Sequence, residues 1–345
     1  MTMKRYEGPY VNLGKSGVKV SRIAFGCGFR GLPDERDAEN VIREAMDTGI
    51  NFIDCSNRYM CANHVLAETV LGRALKGRRE EFVITSKTGN EPSDMVNGRG
   101  LSRQHIMREV EKSLSRLQTE YIDLYILHIP DPTTDLEETL RAMETLTQQG
   151  KIRYMGMSNY RAWEVVSAYD IQHRINAQPV AAVQNAYGLL NRTLEEDMFD
   201  VCGRYGTGIM VYNVLGAGLL GGKYGKNKPM PENSFWTNSS LYRAYYPYYF
   251  NGQPADIVET VRELSEKYGV SMAAIATAWA LGHHQITAVV AGTNTMGQFG
   301  DYLEASTLAL EPEDMERLDT VSYGAREEFI ITEIEKKARQ LKLKW

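Results

Sequence analysis

The 345-residue chain has little that would direct it to a membrane, an export route or nucleic acid. No apolar run is long enough to span a bilayer, and the amino terminus is charged without the apolar core of a secretion signal. The net charge of −5 gives no broad basic surface for nucleic acid. We therefore expect a soluble cytoplasmic protein that binds neither membranes nor nucleic acid.

Cysteine is also scarce, with only four residues in the whole chain: Cys27, Cys55, Cys61 and Cys202. Four cysteines in a chain of this size do not form the framework of a small disulfide-bonded protein. No Cys-x-x-Cys pair or mixed His/Cys cluster accompanies them, so no metal site is predicted.

What the chain has in quantity is regular alternation between apolar segments and amphipathic ones. A short β-hairpin is predicted between Val11 and Val20, from a turn at its centre. Eight segments that resemble buried strands follow at 21–26, 51–54, 82–87, 122–128, 152–158, 180–184, 208–212 and 286–291. Helical spacing is found at 37–46, 66–75, 102–117, 135–148, 194–205, 254–267, 271–281 and 311–321.

Strands that alternate with helices predict a parallel sheet, and eight such units favour an α/β fold of the closed (β/α)8 TIM-barrel type. A doubly wound open sheet is the competing architecture. The first strand is not followed by a Gly-x-Gly-x-x-Gly turn, which argues against the dinucleotide-binding version of that sheet. Composition changes nowhere abruptly, so residues 1–345 are predicted to form one domain.

One segment departs from this pattern. Residues 225–253, after the seventh strand, are too long for an ordinary connection and are rich in aromatic side chains. They could line a substrate pocket or stack on a sugar ring, or they could form a self-packed cap or an oligomer contact. The aromatic residues are Trp236, Tyr242, Tyr245, Tyr246, Tyr248, Tyr249 and Phe250. A charged tail, 322–345, ends the chain.

The carboxyl ends of the second, third and fourth strands carry four polar residues with a shared chemical logic: Asp54, Tyr59, Lys87 and His128. In a barrel these strand ends meet at one face. An ammonium beside a phenol is expected to lower the phenol's pKa from its usual value of about 10. A carboxylate would keep the ammonium charged, and an imidazole would orient a substrate oxygen. Each residue alone has a plainer structural explanation, but together they suit acid–base chemistry on an alcohol–carbonyl pair.

From about residue 10 to 320, the chain resembles the aldo-keto reductase superfamily. Seven stretches carry the resemblance in order: 54–59 (DCSNRY), 66–75 (LAETVLGRAL), 85–87 (TSK), 127–132 (LHIPDP), 150–159 (GKIRYMGMSN), 184–192 (QNAYGLLNR) and 212–223 (YNVLGAGLLGGK).

This resemblance implies a barrel that binds NAD(P)H without a Rossmann fold and acts on a small carbonyl or alcohol. The aromatic segment at 225–253 extends the expected substrates to a sugar or sugar-like ring. Asp54, Tyr59, Lys87 and His128 would be catalytic, with Tyr59 as the general acid and base. Several residues would contact the cofactor. Ser158, Asn159 and Gln184 would hold the carboxamide, Tyr212 would stack on the nicotinamide, Leu215, Gly218 and Lys223 would border the pyrophosphate, and the 292–298 loop would reach the adenosine phosphate. In that loop we single out Gly292, Thr293, Asn294 and Gln298, and Gly26 is added because its backbone could approach a ligand closely.

The sequence departs from the family pattern at two places. Many relatives have a cation in the 292–298 loop for the 2′-phosphate of NADP, but here no Lys or Arg occurs between Ile286 and Arg317. The hydroxyl and amide groups that remain suit a ribose, so NAD(H) is favoured over NADP(H). Asn213 and Val214 also stand where relatives often have Ser-Pro.

Two other functions remain open alternatives to a carbonyl–alcohol oxidoreductase. One is a cofactor-binding regulatory subunit like the barrel subunits attached to channels. The other is a redox-neutral enzyme that retains its dinucleotide through the reaction. The oligomeric state is left open by the sequence.

Overall fold

The computed structural model describes residues 4–29, 34–90, 93, 95–225 and 252–326. The seven aromatic residues named for the 225–253 segment lie outside this part of the chain, as does the tail from residue 327 onward. The predictions about their roles are therefore based on sequence alone.

A two-stranded antiparallel hairpin opens the fold, with β1 at Tyr10–Asn12 and β2 at Lys19–Ser21. Leu13 and Val20 are fully buried, in a cluster with residues from six barrel strands. The hairpin therefore covers one end of the barrel, and it confirms the predicted amino-terminal element.

Eight parallel strands form a closed barrel in the order β10-β3-β4-β5-β6-β7-β8-β9. Their bounds are β3 Ile23–Gly26, β4 Phe52–Asp54, β5 Val83–Thr88, β6 Ile122–Leu127, β7 Ile152–Ser158, β8 Ala182–Ala186, β9 Gly208–Tyr212 and β10 Ala288–Gly292. Most of these strand residues are buried, as expected when helices cover a parallel sheet on its outer face. The (β/α)8 prediction is confirmed.

Helices follow the strands and surround the barrel. Within the described residues they are α1 Glu35–Met46, α2 Ala67–Ala74, α3 Arg103–Leu117, α4 Leu136–Gln148, α5 Ala162–Arg174, α6 Met198–Tyr205, α7 Gly252–Tyr268, α8 Met272–Gly282, α9 Met296–Ala305 and α10 Pro312–Ser322. Of the helices in these ranges, none combines the length and apolar character needed to cross a bilayer.

Two helices, α5 and α9, were not expected from the sequence. Helix α5 starts after Arg161, which is not a usual capping residue, and its start is stabilised when Glu164 accepts the Arg161 backbone N–H at 2.8 Å. Helix α9 contains Gly297 and Gly300, which weaken helix propensity. Burial of its apolar side chains, Phe299 among them, offsets that cost.

Two other predictions needed correction. The sixth strand is Ala182–Ala186 rather than 180–184, because both backbone groups of Val180 bond to side chains of α5: its N–H to Gln172 and its carbonyl to Tyr169. The helix expected at 194–205 is divided into a 3₁₀ turn, Thr193–Glu195, and α6. The side-chain oxygen of Asn191, just before the turn, accepts the backbone N–H and the hydroxyl of Thr193.

The strand register brings the predicted site residues to one face. Gly26 is paired with Asp54 across β3 and β4, and Asp54 is paired with Thr85 across β4 and β5. On the other side, Ser158 lies opposite Gln184. All of these positions are at or near carboxyl ends of strands, where the active sites of (β/α)8 enzymes lie.

The predicted N-cap of α3 can be tested directly. Ser102, predicted as an N-cap, accepts the His105 backbone N–H at 3.3 Å. Ser102→Ala should lower the free energy of unfolding by about 1 kcal/mol because that N–H loses its partner. Ser115→Ala, an exposed change in the same helix, is the control and should cause no loss. Equal urea midpoints for Ser102→Ala and the wild type would contradict the cap.

Candidate active site

The centre of the site is a buried ion pair between Lys87 and Asp54. The Lys87 Nζ lies 2.7 Å and 2.8 Å from the two carboxylate oxygens of Asp54, and the lysine side chain is fully buried. Thr85 and Gln184 also donate to Oδ1 of Asp54, at 2.5 Å and 2.7 Å. The carboxylate therefore has a partner from β5 and from β8 on the opposite side of the barrel.

The phenol of Tyr59 completes the surroundings of the ammonium. Its hydroxyl is 3.3 Å from the Lys87 Nζ, which also donates to the Cys55 carbonyl at 2.8 Å. A tight turn after β4 brings Tyr59 back over the strand end, because its backbone N–H bonds to the Ser56 carbonyl at 3.2 Å. The phenol and the ammonium are therefore close enough to form a hydrogen bond, as the sequence predicted.

His128 follows β6 and faces Tyr59 edge to face, with ring centroids 6.0 Å apart and planes at 84°. Its Nδ1 lies 3.3 Å from the Ser56 hydroxyl. Its backbone carbonyl accepts the Asn159 side-chain amide at 2.9 Å. Asn159 itself has a φ of +65°, a left-handed conformation that asparagine tolerates better than most residues.

The electrostatics differ in one respect from the sequence-based expectation. Burial opposes the charge on Lys87, but the combined attractions of Asp54, Tyr59 and Cys55 outweigh it and raise the Lys87 pKa above its ordinary value. Burial also opposes the charged form of Tyr59, and for a phenol this raises the pKa. The effect of burial exceeds the lowering of the Tyr59 pKa by Lys87. Lys87 thus lowers the Tyr59 pKa as expected from the sequence, but burial is the larger effect and Asp54 acts in the same sense as burial, so the net shift is upward.

The residues predicted to hold the carboxamide lie beside this centre. Ser158 and Gln184 are buried, and Gln184 donates its amide to Asp54. Asn159 donates to the Ser158 hydroxyl at 3.1 Å and accepts the Tyr212 hydroxyl at 2.6 Å. The amide groups in this set are thus already oriented by protein partners.

The loop after β9 carries the three residues predicted at the pyrophosphate. Leu215 is partly buried, Gly218 has a φ of +93° and Lys223 is exposed. The loop is braced by Asn213, whose side-chain oxygen accepts the Ala217 backbone N–H at 2.8 Å. These residues follow β9, on the same face of the barrel as Asp54.

The segment after β10 is shorter than the predicted 292–298 loop, because α9 already begins at Met296. Gly292 is exposed and paired in register with Gly26. Gln298 turns its side-chain oxygen back to accept the Asn294 backbone N–H at 2.9 Å and the Thr293 hydroxyl at 3.4 Å. The side-chain oxygen of Asn294 is buried and has no hydrogen-bond partner among the residues that the structure describes.

Glycine is required at position 26 for a structural reason that is separate from ligand binding. A Cβ at this position would lie 2.8 Å from the Ala291 carbonyl oxygen, so the close approach of β3 and β10 requires glycine. Thr85 and Ser56 were not among the site residues predicted from the sequence, although Thr85 contacts Asp54 and Ser56 contacts His128. The signal for Thr85 was its spacing of two from Lys87, which puts both side chains on one face of β5.

Within the described residues, no group of three or more His, Cys, Asp or Glu side chains is arranged to hold a metal ion. A closed parallel barrel with a buried ion pair and a phenol at its carboxyl-terminal face has the architecture of a (β/α)8 enzyme.

Comparison with known proteins identifies the family of this (β/α)8 protein. The model described as "Aldo/keto reductase family" matches residues 22–322. The chain is 33% identical to "Uncharacterized oxidoreductase YrpG" of Bacillus subtilis, over 91% of this chain and 96% of that protein. It is 31% identical to "Versiconal hemiacetal acetate reductase" of Aspergillus parasiticus, over 90% and 96%. It is 29% identical to "Probable voltage-gated potassium channel subunit beta" of Oryza sativa subsp. japonica, over 90% of this chain and 96% of that protein.

The chain belongs to the aldo/keto reductase family, as the resemblance indicated. It is an oxidoreductase of the type that generally uses NAD(P)H and acts on small-molecule carbonyl or alcohol substrates.

The opposing influences on Tyr59 predict pKa shifts of opposite sign. Lys87→Met removes the charge that lowers the Tyr59 pKa, so that pKa should rise further. Asp54→Asn removes a charge that raises it, so the pKa should fall. Phenolate absorbance in the ultraviolet, with a Tyr59→Phe version of each protein as background, measures both shifts. Shifts in the same direction would contradict this account of the site.

Proposed function

We propose that this oxidoreductase interconverts a carbonyl and an alcohol on a small molecule, with Tyr59 as general acid and base. The observation that carries the proposal is the placement of one buried ammonium, Lys87, against both the Asp54 carboxylate and the Tyr59 hydroxyl. Asp54 keeps the ammonium charged and fixed, and the ammonium stabilises the phenolate that forms when Tyr59 gives up its proton.

The raised pKa of Tyr59 favours one direction at neutral pH. A phenol with a pKa above its ordinary value of about 10 is protonated there and can donate to a carbonyl oxygen. In the reverse direction the phenolate must form before it can accept a proton from the alcohol. Tyr59 therefore supports reduction at neutral pH, and alcohol oxidation should improve as pH rises toward the Tyr59 pKa.

The cofactor proposed for this site is a nicotinamide dinucleotide, which supplies or accepts the hydride when bound. Ser158, Asn159 and Gln184 offer amide and hydroxyl groups suited to a carboxamide, and Tyr212 offers a ring for stacking. Leu215, Gly218 and Lys223 would border the pyrophosphate.

At the adenosine end, the donor and acceptor pattern favours NAD(H) over NADP(H). The side-chain oxygen of Asn294, which has no partner among the described residues, is an acceptor that suits a ribose hydroxyl. A phosphate dianion needs donors or a cation, and Gln298 already uses one backbone N–H of this segment. Gly292 and Thr293 would form the rest of this contact.

A second candidate function is a cofactor-binding regulatory subunit. It is favoured by the similarity to the rice protein, whose name describes a potassium channel subunit. A regulatory subunit could retain the same site residues as a sensor, so the two functions differ in turnover rather than in cofactor binding. The ion pair and phenol favour catalysis.

The substrate is proposed to be a small carbonyl compound or a sugar-like ring. Scanning such compounds with purified protein and NADH should give turnover. Tyr59→Phe should lower kcat by at least a hundredfold because the general acid is lost. General acid–base catalysis typically contributes roughly 10²–10⁴-fold, and a hundredfold is the low end of that range. Cofactor binding, followed by fluorescence, should change little.

Tyr121→Phe is the matched control, because this half-buried tyrosine donates its hydroxyl to Glu80 just before β6 begins, away from the site. It should leave kcat unchanged. Wild-type protein that binds the dinucleotide but turns over none of the panel would favour the regulatory function. Undiminished activity in Tyr59→Phe would remove Tyr59 from the proposed mechanism.

Cofactor preference can be tested at Gln298. The wild type should bind NADH as tightly as NADPH or more tightly, and Gln298→Arg should improve NADPH relative to NADH by roughly tenfold, because it adds a cation and frees the Asn294 N–H. Titration of both cofactors measures the ratio, with Gln298→Met as a control that frees the N–H without adding charge. A wild-type preference for NADPH of about a hundredfold would refute the assignment.

A further inference from the structure

We infer that Ser56 is a positioning residue for the reaction: it donates its hydroxyl proton to Nδ1 of His128 and thereby fixes that imidazole with its proton on Nε2. The inference rests on the proposed function for its catalytic meaning, since the Nε2 proton is what His128 would offer to a substrate oxygen. The arrangement of Ser56 and His128 is itself independent of that function.

The contact is buried and held from both sides. Ser56 is fully buried, and its Oγ lies 3.3 Å from Nδ1 of His128. Ser56 is held by the turn after β4, while the backbone N–H of His128 bonds to the Thr88 carbonyl at 2.9 Å. Because both backbones are fixed, the imidazole keeps one ring nitrogen directed at the serine.

The surroundings of the Ser56 hydroxyl favour it as the donor. The Ser56 Oγ already accepts the Arg58 backbone N–H at 3.3 Å, so its own proton seeks an acceptor. Among the described residues, two acceptors are within reach of it: Nδ1 of His128 at 3.3 Å and the Asn57 side-chain oxygen at 3.5 Å. The ring nitrogen is the nearer of the two, and 3.5 Å is at the limit of a hydrogen bond. The serine proton therefore goes to Nδ1.

The tautomer follows from this donation. A neutral imidazole carries one proton, so an Nδ1 that accepts from Ser56 leaves that proton on Nε2. The imidazole ring stands edge to face with Tyr59. An Nε2 proton is what polarises a carbonyl oxygen that Tyr59 protonates, whereas the other tautomer would present a lone pair to the same oxygen and repel it.

The tautomer can be read directly by ¹⁵N NMR of protein labelled at its six histidines. The His128 signal would be assigned by its disappearance in a His128→Gln variant. In the wild type we expect the proton on Nε2. In Ser56→Ala the ratio of the Nε2-protonated to the Nδ1-protonated tautomer should fall roughly three- to tenfold, which corresponds to the loss of one neutral hydrogen bond. A wild-type proton on Nδ1, or an unchanged ratio in Ser56→Ala, would overturn the inference.

A second variant guards against misfolding of Ser56→Ala and tests the competing acceptor. Asn57→Ala removes the alternative partner of the serine proton, so the His128 tautomer should stay as in the wild type. If the serine proton instead goes to Asn57, this variant would release it to Nδ1 and switch the tautomer, which would contradict the inference.

Activity then links the tautomer to the reaction. In Ser56→Ala, kcat for carbonyl reduction should fall in proportion to the measured fraction of His128 that carries its proton on Nε2, with the roughly three- to tenfold fall of the tautomer ratio as the upper limit, and Ser56→Thr, which keeps a hydroxyl, should restore both. A fall in kcat with no change in tautomer would contradict the positioning role. Absence of turnover in wild-type protein that shows the expected tautomer would refute the proposed function but not the arrangement of Ser56 and His128.

Discussion

The burial of Lys87 against Asp54 is the constraint on which the rest of the site depends. Removing an ammonium and a carboxylate from water costs several kcal/mol for each ion, and their attraction compensates only when every remaining donor and acceptor is paired. Here Thr85 and Gln184 complete the carboxylate, and the Cys55 carbonyl and the Tyr59 hydroxyl complete the ammonium. Three separate chain segments, at 54–59, at 85–87 and at Gln184, must therefore meet at one point, and closure of the barrel supplies that geometry.

This constraint explains why the phenol is where it is. Tyr59 is a partner of the buried ammonium and also the group proposed to exchange a proton with substrate. Its pKa reflects three opposing influences, with burial the largest, the ammonium against it and the carboxylate with it. The same burial that makes the ion pair costly thus keeps the phenol protonated at neutral pH.

The sequence was sufficient for the barrel and for the residues at the strand ends, because buried parallel strands and the alternation of elements leave strong patterns. It missed α5, whose cap is an arginine, and α9, which contains two glycines and is held by burial of Phe299. Local propensity carries no record of such tertiary packing. The contact between Ser56 and His128 was likewise beyond sequence reasoning, because the two residues are 72 positions apart and meet only through folding.

The pKa of Tyr59 shows a further limit of residue-type reasoning. Knowing that a lysine lies next to a tyrosine predicts a lowered pKa, but the net direction depends on burial and on where Asp54 lies. The most direct test of the account is a neutron crystal structure at neutral pH. It should show three deuterons on the Lys87 nitrogen, directed at Asp54, the Cys55 carbonyl and Tyr59, with a deuteron on the Tyr59 oxygen. A neutral Lys87 beside a protonated Asp54, or a Tyr59 hydroxyl turned away from the ammonium, would contradict it.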